Sequence, residues 1–143
     1  MRKVNIMITS IVLVLVLILA VLGFKNSDYR TKTLEETLDV NPENITKVML
    51  SNPINKGRYK STRNKDKIEI FINHFDQVNF RRLTGDQSTY MPMRASMIYL
   101  YEGDKVDFIV PYETEAMISH KVYEIKNGRV RNTFIIDFYN SIK

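Results

Sequence analysis

Six cations crowd into twelve residues of this chain: Lys56, Arg58, Lys60, Arg63, Lys65 and Lys67, with Asp66 the one acid among them. Such density suits an anionic surface. Phospholipid headgroups would answer to it, as would an anionic wall polymer such as teichoic acid. Each cation held near a negative leaflet contributes on the order of 1 kcal/mol, and the field decays over about 8 Å at physiological salt. In a strand, Arg58, Lys60 and Thr62 share one face while Tyr59 and Ser61 take the other. A one-sided basic patch is the sharp expectation. The plain alternative is a solvated turn and helix start.

The other chemistry-bearing residues point to less. Glu102, Asp104, Asp107, Glu113 and Glu115 form an acidic series. A divalent cation needs about six oxygens converging on one point. The series has no Asp-x-Asp-x-Asp-Gly loop and Lys105 interrupts it, so it reads as turn and edge-strand carboxylates that discourage edge pairing. The two histidines, His74 and His120, lack metal-ligand spacing. There is no His-Glu-x-x-His, no Gly-x-Ser-x-Gly and no phosphate-cradling glycine loop. No metal and no cofactor are expected, and catalysis is not expected either. Tyr59, Tyr99 and Tyr101 fall on expected strands and could stack on bases. No basic-aromatic-glycine signature accompanies them, so nucleic acid is not an expected partner.

The element that decides where these residues sit is the run Ile6 to Phe24. It holds 19 residues, with Thr9 and Ser10 its only polar side chains and no charge. At about 1.5 Å per residue it spans roughly 28 Å, close to the hydrocarbon thickness of a bilayer. Fourteen of its residues are Leu, Ile, Val or Phe. At about −0.3 to −0.6 kcal/mol each, insertion is favoured by several kcal/mol. The expected organisation is a cytoplasmic tail over residues 1–5, a signal-anchor helix over 6–24, a juxtamembrane connector over 25–44 and an extracytoplasmic domain over 45–143. Arg2 and Lys3 on one flank face Lys25, Arg30 and Lys32 on the other, so flanking charge gives no clear vote. An inside N-terminus is expected because a long following domain is translocated largely regardless of charge and a short basic start stays inside. The alternative is a cleaved signal peptide releasing a secreted cationic inhibitor or immunity-type protein. Its best cleavage point, Val21-Leu22-Gly23, lacks the usual alanine pair. A small envelope enzyme is a further alternative. The chain has no cysteine, which rules out a lipid-modified Cys anchor and disulfides alike.

Beyond the run, the spacing predicts an α+β domain. Thr33-Leu34-Glu35-Glu36 has capping-box spacing for a short helix to about Leu38. Strands are expected over Ile45–Ser51, Arg58–Thr62 and Val78–Leu83. Ile68, Phe71, Ile72 and Phe75 repeat at i, i+3, i+4 and i+7, one face of a helix, with Asp66 and Glu69 resembling its cap. A loop containing Gly85, Asp86 and Met91-Pro92-Met93 follows. Met97–Glu102 and Lys105–Val110 should form a hairpin on Gly103-Asp104, with Val106, Phe108 and Val110 on one face. A second hairpin should join His120–Lys126 to Arg129–Arg131 through Asn127-Gly128. Ile135, Phe138, Tyr139 and Ile142 predict a closing helix capped by Asn132 or Thr133. The simplest packing is a twisted antiparallel sheet with both helices on one face.

This layout resembles small exported or membrane-tethered Firmicutes domains that have no assigned function. The residues carrying the resemblance are the apolar N-terminal segment, the strand ITKVML, the helix NKDKIEIFINHF, the hairpin YLYEGDKVDFIV and the closing VYEIKNGRVRNTFIIDFYNSI. It implies an extracytoplasmic α+β domain and carries no catalytic residues across. Many such domains hang from a lipidated cysteine, which this chain lacks.

Overall fold

The computed structural model describes residues 11–23, 29–52, 54, 57–84 and 95–143. It falls into two units, one ending at Arg30 and a second, larger one covering Thr31–Lys143. In the first unit, residues 11–23 form helix α1, and every one of them is exposed. Among the described residues no helix is long and apolar enough to cross a membrane. The thirteen described residues of α1 reach about 20 Å, short of about 30 Å of hydrocarbon. The transmembrane helix expected over Ile6–Phe24 is therefore not supported over that length, and Ile6 to Ser10 and Phe24 lie outside the described residues.

The second unit is an α+β domain built on one eight-stranded antiparallel sheet. Its strands are β1 (Thr31–Lys32), β2 (Lys47–Ser51), β3 (Tyr59–Thr62), β4 (Asn79–Arg82), β5 (Ile98–Glu102), β6 (Lys105–Pro111), β7 (Glu115–Ile118) and β8 (Lys121–Lys126). They lie in the order β1-β4-β8-β7-β6-β5-β2-β3. Helix α2 (Lys65–Asp76) links β3 at one edge to β4 near the other, and helix α3 (Asn132–Ser141) closes the chain.

Each helix forms where its apolar spacing meets a start signal. In α2, Ile68, Phe71, Ile72 and Phe75 are buried while Ile70 is 57% exposed, which settles the helix against the strand alternation of Ile68, Ile70 and Ile72. The cap is Asn64, whose side chain accepts the Lys67 N–H at 3.1 Å; Asp66 and Glu69 do not supply it. In α3, Ile135, Phe138 and Tyr139 are buried, and the cap position is Arg131, without a side-chain bond, instead of Asn132 or Thr133. The two helices meet through Phe71 and Phe138, whose ring centroids are 4.9 Å apart. One core contains the buried residues of both helices together with Val48, Leu50, Phe80, Ile98, Leu100, Ile109 and Ile118 of the sheet.

Register explains the corrections to the strands. The β5–β6 hairpin forms as expected, with Glu102 opposite Lys105 across Gly103-Asp104. Asp107 and Ile109 are buried on one face of β6, while on the other Val106 is 52% exposed, Phe108 half-buried and Val110 buried. Val106, Phe108 and Val110 share one face as expected, and it is Ile109, not they, that joins the core cluster. The Asn127-Gly128 hairpin does not form. β8 instead pairs with β7 on one side and β4 on the other, so both its edges are already filled. The turn into β8 is Ser119-His120, both at positive φ (48° and 64°), the backbone a tight two-residue hairpin requires. The expected helix near Leu34 is a single turn, closed by the Thr37 N–H on the Leu34 carbonyl at 2.9 Å. Leu34, Leu38 and Val40 of the expected connector are buried in the core. The expected loop around Gly85, Asp86 and Met91-Pro92-Met93 lies outside the described residues.

Candidate functional site

The basic strip does not present one uniform surface. Lys60, on β3, faces the helix side of the sheet, and its Nζ donates to the Ile142 carbonyl at 2.6 Å while lying 5.0 Å from the Tyr139 ring. Lys67, in the first turn of α2, donates to the Ser141 carbonyl and, at 3.3 Å, to the Ser141 hydroxyl. Two of the cations therefore serve the C-terminal end of α3, where the last carbonyls lack helical partners and the helix dipole favours positive charge. The face shared by Lys60 and Thr62 is covered, and Tyr59 and Ser61 are the exposed residues of β3.

Lys65 sits elsewhere. It lines a cleft of about 720 Å³ between α2 and the segment 33–45. Glu35, Glu43, Glu69 and Asp76 line the same cleft with Ile68 and Ile72. Partial burial, then the nearby Glu35, holds the Asp76 carboxyl above its ordinary range. Among the described residues no group of three or more His, Asp or Glu is arranged to hold a metal ion. Arg58 and Arg63 are exposed and, among the described residues, have no ion-pair partner. Lys56 lies outside the described residues.

The acidic series acts inside the fold. Asp107 is 5% exposed. Its carboxylate accepts the Asp39 N–H at 2.7 Å, its neighbour Phe108 N–H at 2.7 Å and the Ser119 hydroxyl. Glu102 accepts the Asn41 N–H at 3.0 Å and the Asn44 side-chain amide at 3.2 Å. Those two bonds, the backbone one first, hold its carboxyl below the usual range. Together Asp107 and Glu102 fasten residues 39–44 to the sheet. Asp104 and Glu113 are exposed, and Glu115 is half-buried opposite Glu124 in the β7–β8 pair. Glu124 is tied to Arg81 at 2.8 Å and to Lys126 at 2.5 Å.

The histidines are separated as well. His120 is exposed at the β7–β8 turn, edge-on to Phe108 at 4.7 Å. His74 stacks on Phe134, centroids 3.7 Å apart and planes 14° from parallel. Burial, then the charge of Arg131, lowers its pKa below the ordinary 6.5.

The sheet face away from the helices carries a feature that spacing only hinted at. Tyr59, Tyr99 and Tyr101 come together on β3 and β5, with the Tyr59 and Tyr99 rings 6.3 Å apart. Lys47 Nζ lies 3.6 Å above the Tyr101 ring, a cation–π contact. Tyr99 donates its hydroxyl to the Met97 sulfur at 2.7 Å. The register Lys47 opposite Tyr101 and Met49 opposite Tyr99 assembles this patch. The separate segments were legible as strands, but their pairing was not.

Comparison with protein-family models, with curated proteins and with solved structures finds no match for this chain.

Proposed function

We propose that this chain is a single-pass membrane-tethered interaction module without catalytic activity, its α+β domain outside the cytoplasm. The observation that carries the reading is the character of α1. Ile11, Val12, Leu13, Val14, Leu15, Val16, Leu17, Ile18, Leu19, Val21 and Leu22 are each about half exposed or more. A helix apolar all round, with every described residue exposed, is suited to lipid rather than water. With the rest of Ile6–Phe24 the stretch is long enough to span.

The domain's contacts follow from its free surfaces. Arg58, Arg63 and Lys65 are the exposed described members of the strip; Lys65 lines the α2 cleft, and Arg58 directly precedes Tyr59, which is 50% exposed on the open sheet face. A cationic rim beside an aromatic platform suits weak, salt-sensitive contact with anionic lipid or wall polymer, or with an envelope protein partner. The energy of two such cations, on the order of 1 kcal/mol each, orients a tethered domain but does not capture a free one.

The chain contains no cysteine, so one introduced thiol reports topology cleanly. In the full chain carrying Asn140→Cys, a membrane-impermeant maleimide should label intact cells. Labelling only after lysis would overturn the extracytoplasmic placement.

A further inference from the structure

A second cleft, of about 700 Å³, opens where the end of α2 meets the loop running from β8 into α3. Its polar walls are His74, Gln77, Asn127, Arg129 and Arg131, and among the described residues no carboxylate lines it. Every one of those side chains offers hydrogen-bond donors, and two are permanently charged forks. Arg129 and Arg131 are exposed and, among the described residues, have no ion-pair partner. The His74 ring forms part of the wall.

Several packing features hold the cleft in shape. Asn127 lies at φ 58° and Gly128 at φ 155°. A Cβ on Gly128 would stand 2.9 Å from Val78 Cγ1, so the loop is packed directly against the residue that follows α2. Stacking on Phe134 fixes the plane of the His74 ring. Arg131 is also the cap residue of α3, whose first turn contains no acid and receives no side-chain cap bond. The positive end of that helix adds to the two guanidiniums. The C-terminal end of α2 opposes them with a partial charge only.

We infer that this cleft binds an oxyanion of the phosphate class, held by Arg129 and Arg131 with Gln77 and Asn127 as further donors and the His74 ring as part of the wall. Tetrahedral oxyanions match the planar guanidinium fork bidentately. The cleft's volume leaves room for an ester substituent, so free phosphate and a phospholipid headgroup are the two sources of the same chemistry. The site is distinct from the basic strip: none of the five described strip residues lines it.

The test uses the full chain in maltoside micelles, titrated with inorganic phosphate at low chloride, with isothermal heat and the His74 ring resonances as readouts. Saturable binding that perturbs His74 is expected. The Arg129→Gln, Arg131→Gln double variant should weaken binding at least about tenfold for each guanidinium removed, with its thermal midpoint nearly unchanged because both side chains are exposed. Arg129→Lys, Arg131→Lys should recover part of the loss, since charge returns without the fork. Doping the micelles with phosphatidylglycerol separates the sources: competition with phosphate upholds the site with a headgroup ligand, and no competition upholds it with a soluble one. Equal binding by wild type and the Gln variant, or no saturable binding by either, would overturn the inference.

Discussion

Lys60 Nζ donates to the backbone carbonyl of Ile142 at 2.6 Å, and this one contact changes the meaning of the densest run of charge in the chain. The bond joins the edge strand β3 to the residue just past α3. Lys67 makes the same kind of contact one carbonyl earlier, on Ser141. Cations that read in the sequence as free to meet a partner are in part the fasteners of a helix end.

A graded stability series follows. Lys60→Gln removes a half-buried, charge-assisted bond and should cost about 1–2 kcal/mol. Lys67→Gln should cost somewhat less, because its site is more exposed. Arg58→Gln and Arg63→Gln should stay within about 0.5 kcal/mol of wild type. Urea unfolding of the four variants checks the order. Equal stability of all four would mean that the contacts to Ile142 and Ser141 contribute nothing.

Asp107 makes a second long-range fastening. It binds the backbone of Asp39 and the hydroxyl of Ser119, the latter also donating to the Thr37 carbonyl at 3.3 Å. Asp107→Ala should destabilise the domain by about 2–4 kcal/mol, because buried donors are left unpaired. Hydrogen exchange should show the Asp39 amide losing protection before the central strands do. A surface-like cost below about 0.5 kcal/mol would contradict the role.

These two fasteners also mark the limit of what the sequence disclosed. The α2 face was legible because Ile68, Phe71, Ile72 and Phe75 bury themselves by local spacing alone, and the β5–β6 hairpin because Gly103-Asp104 sets its own register. Local pattern grouped Val106, Phe108 and Val110 on one face of β6 but did not say which face meets the core, since they alternate as well as a core stripe does. Only the donors from Asp39 and Ser119, distant in sequence, make it possible to bury Asp107 on the opposite face. Asn127-Gly128 carried a hairpin signal, yet β8 had both edges filled by β4 and β7, and the turn led into α3. In the same way, the tyrosine patch depends on which strands become neighbours, a long-range outcome that no window of residues contains. Arg129, Arg131 and His74 gave no motif because they meet only when the β8–α3 loop packs on Val78.

Gly128 should be the least replaceable glycine among those described. Gly128→Ala meets both an unfavourable φ of 155° and a 2.9 Å approach to Val78 Cγ1. A cost of about 1–3 kcal/mol is expected from the backbone strain alone. Adding Val78→Ala should relieve the clash but not the strain, so the double variant should be less destabilised than the sum of the two single changes. Strict additivity in thermal unfolding would contradict the contact.

His74 gives the domain a pH signature. Its folded pKa lies below 6.5, through burial first and Arg131 second. Between the folded value and 6.5, the unfolded chain binds more protons than the native one, so stability rises with pH across that window. The contribution is complete above 6.5 and is lost as pH falls through the folded pKa. Unfolding free energies at about pH 5 and about pH 7 should differ less for His74→Gln than for wild type. An unchanged difference would mean that His74 titrates as it does in the unfolded chain.

The central claim is that Ile6–Phe24 holds this domain at a membrane, and alkaline carbonate extraction of cell membranes tests it most directly. The full chain should remain in the washed pellet at its intact mass. Leu15→Arg with Leu19→Arg places two charges near mid-bilayer at about 2.5–3.5 kcal/mol each, comparable to the whole insertion energy of the run. That variant should move to the supernatant. Release of the wild-type chain by carbonate, or equal retention of the arginine variant, would contradict the account.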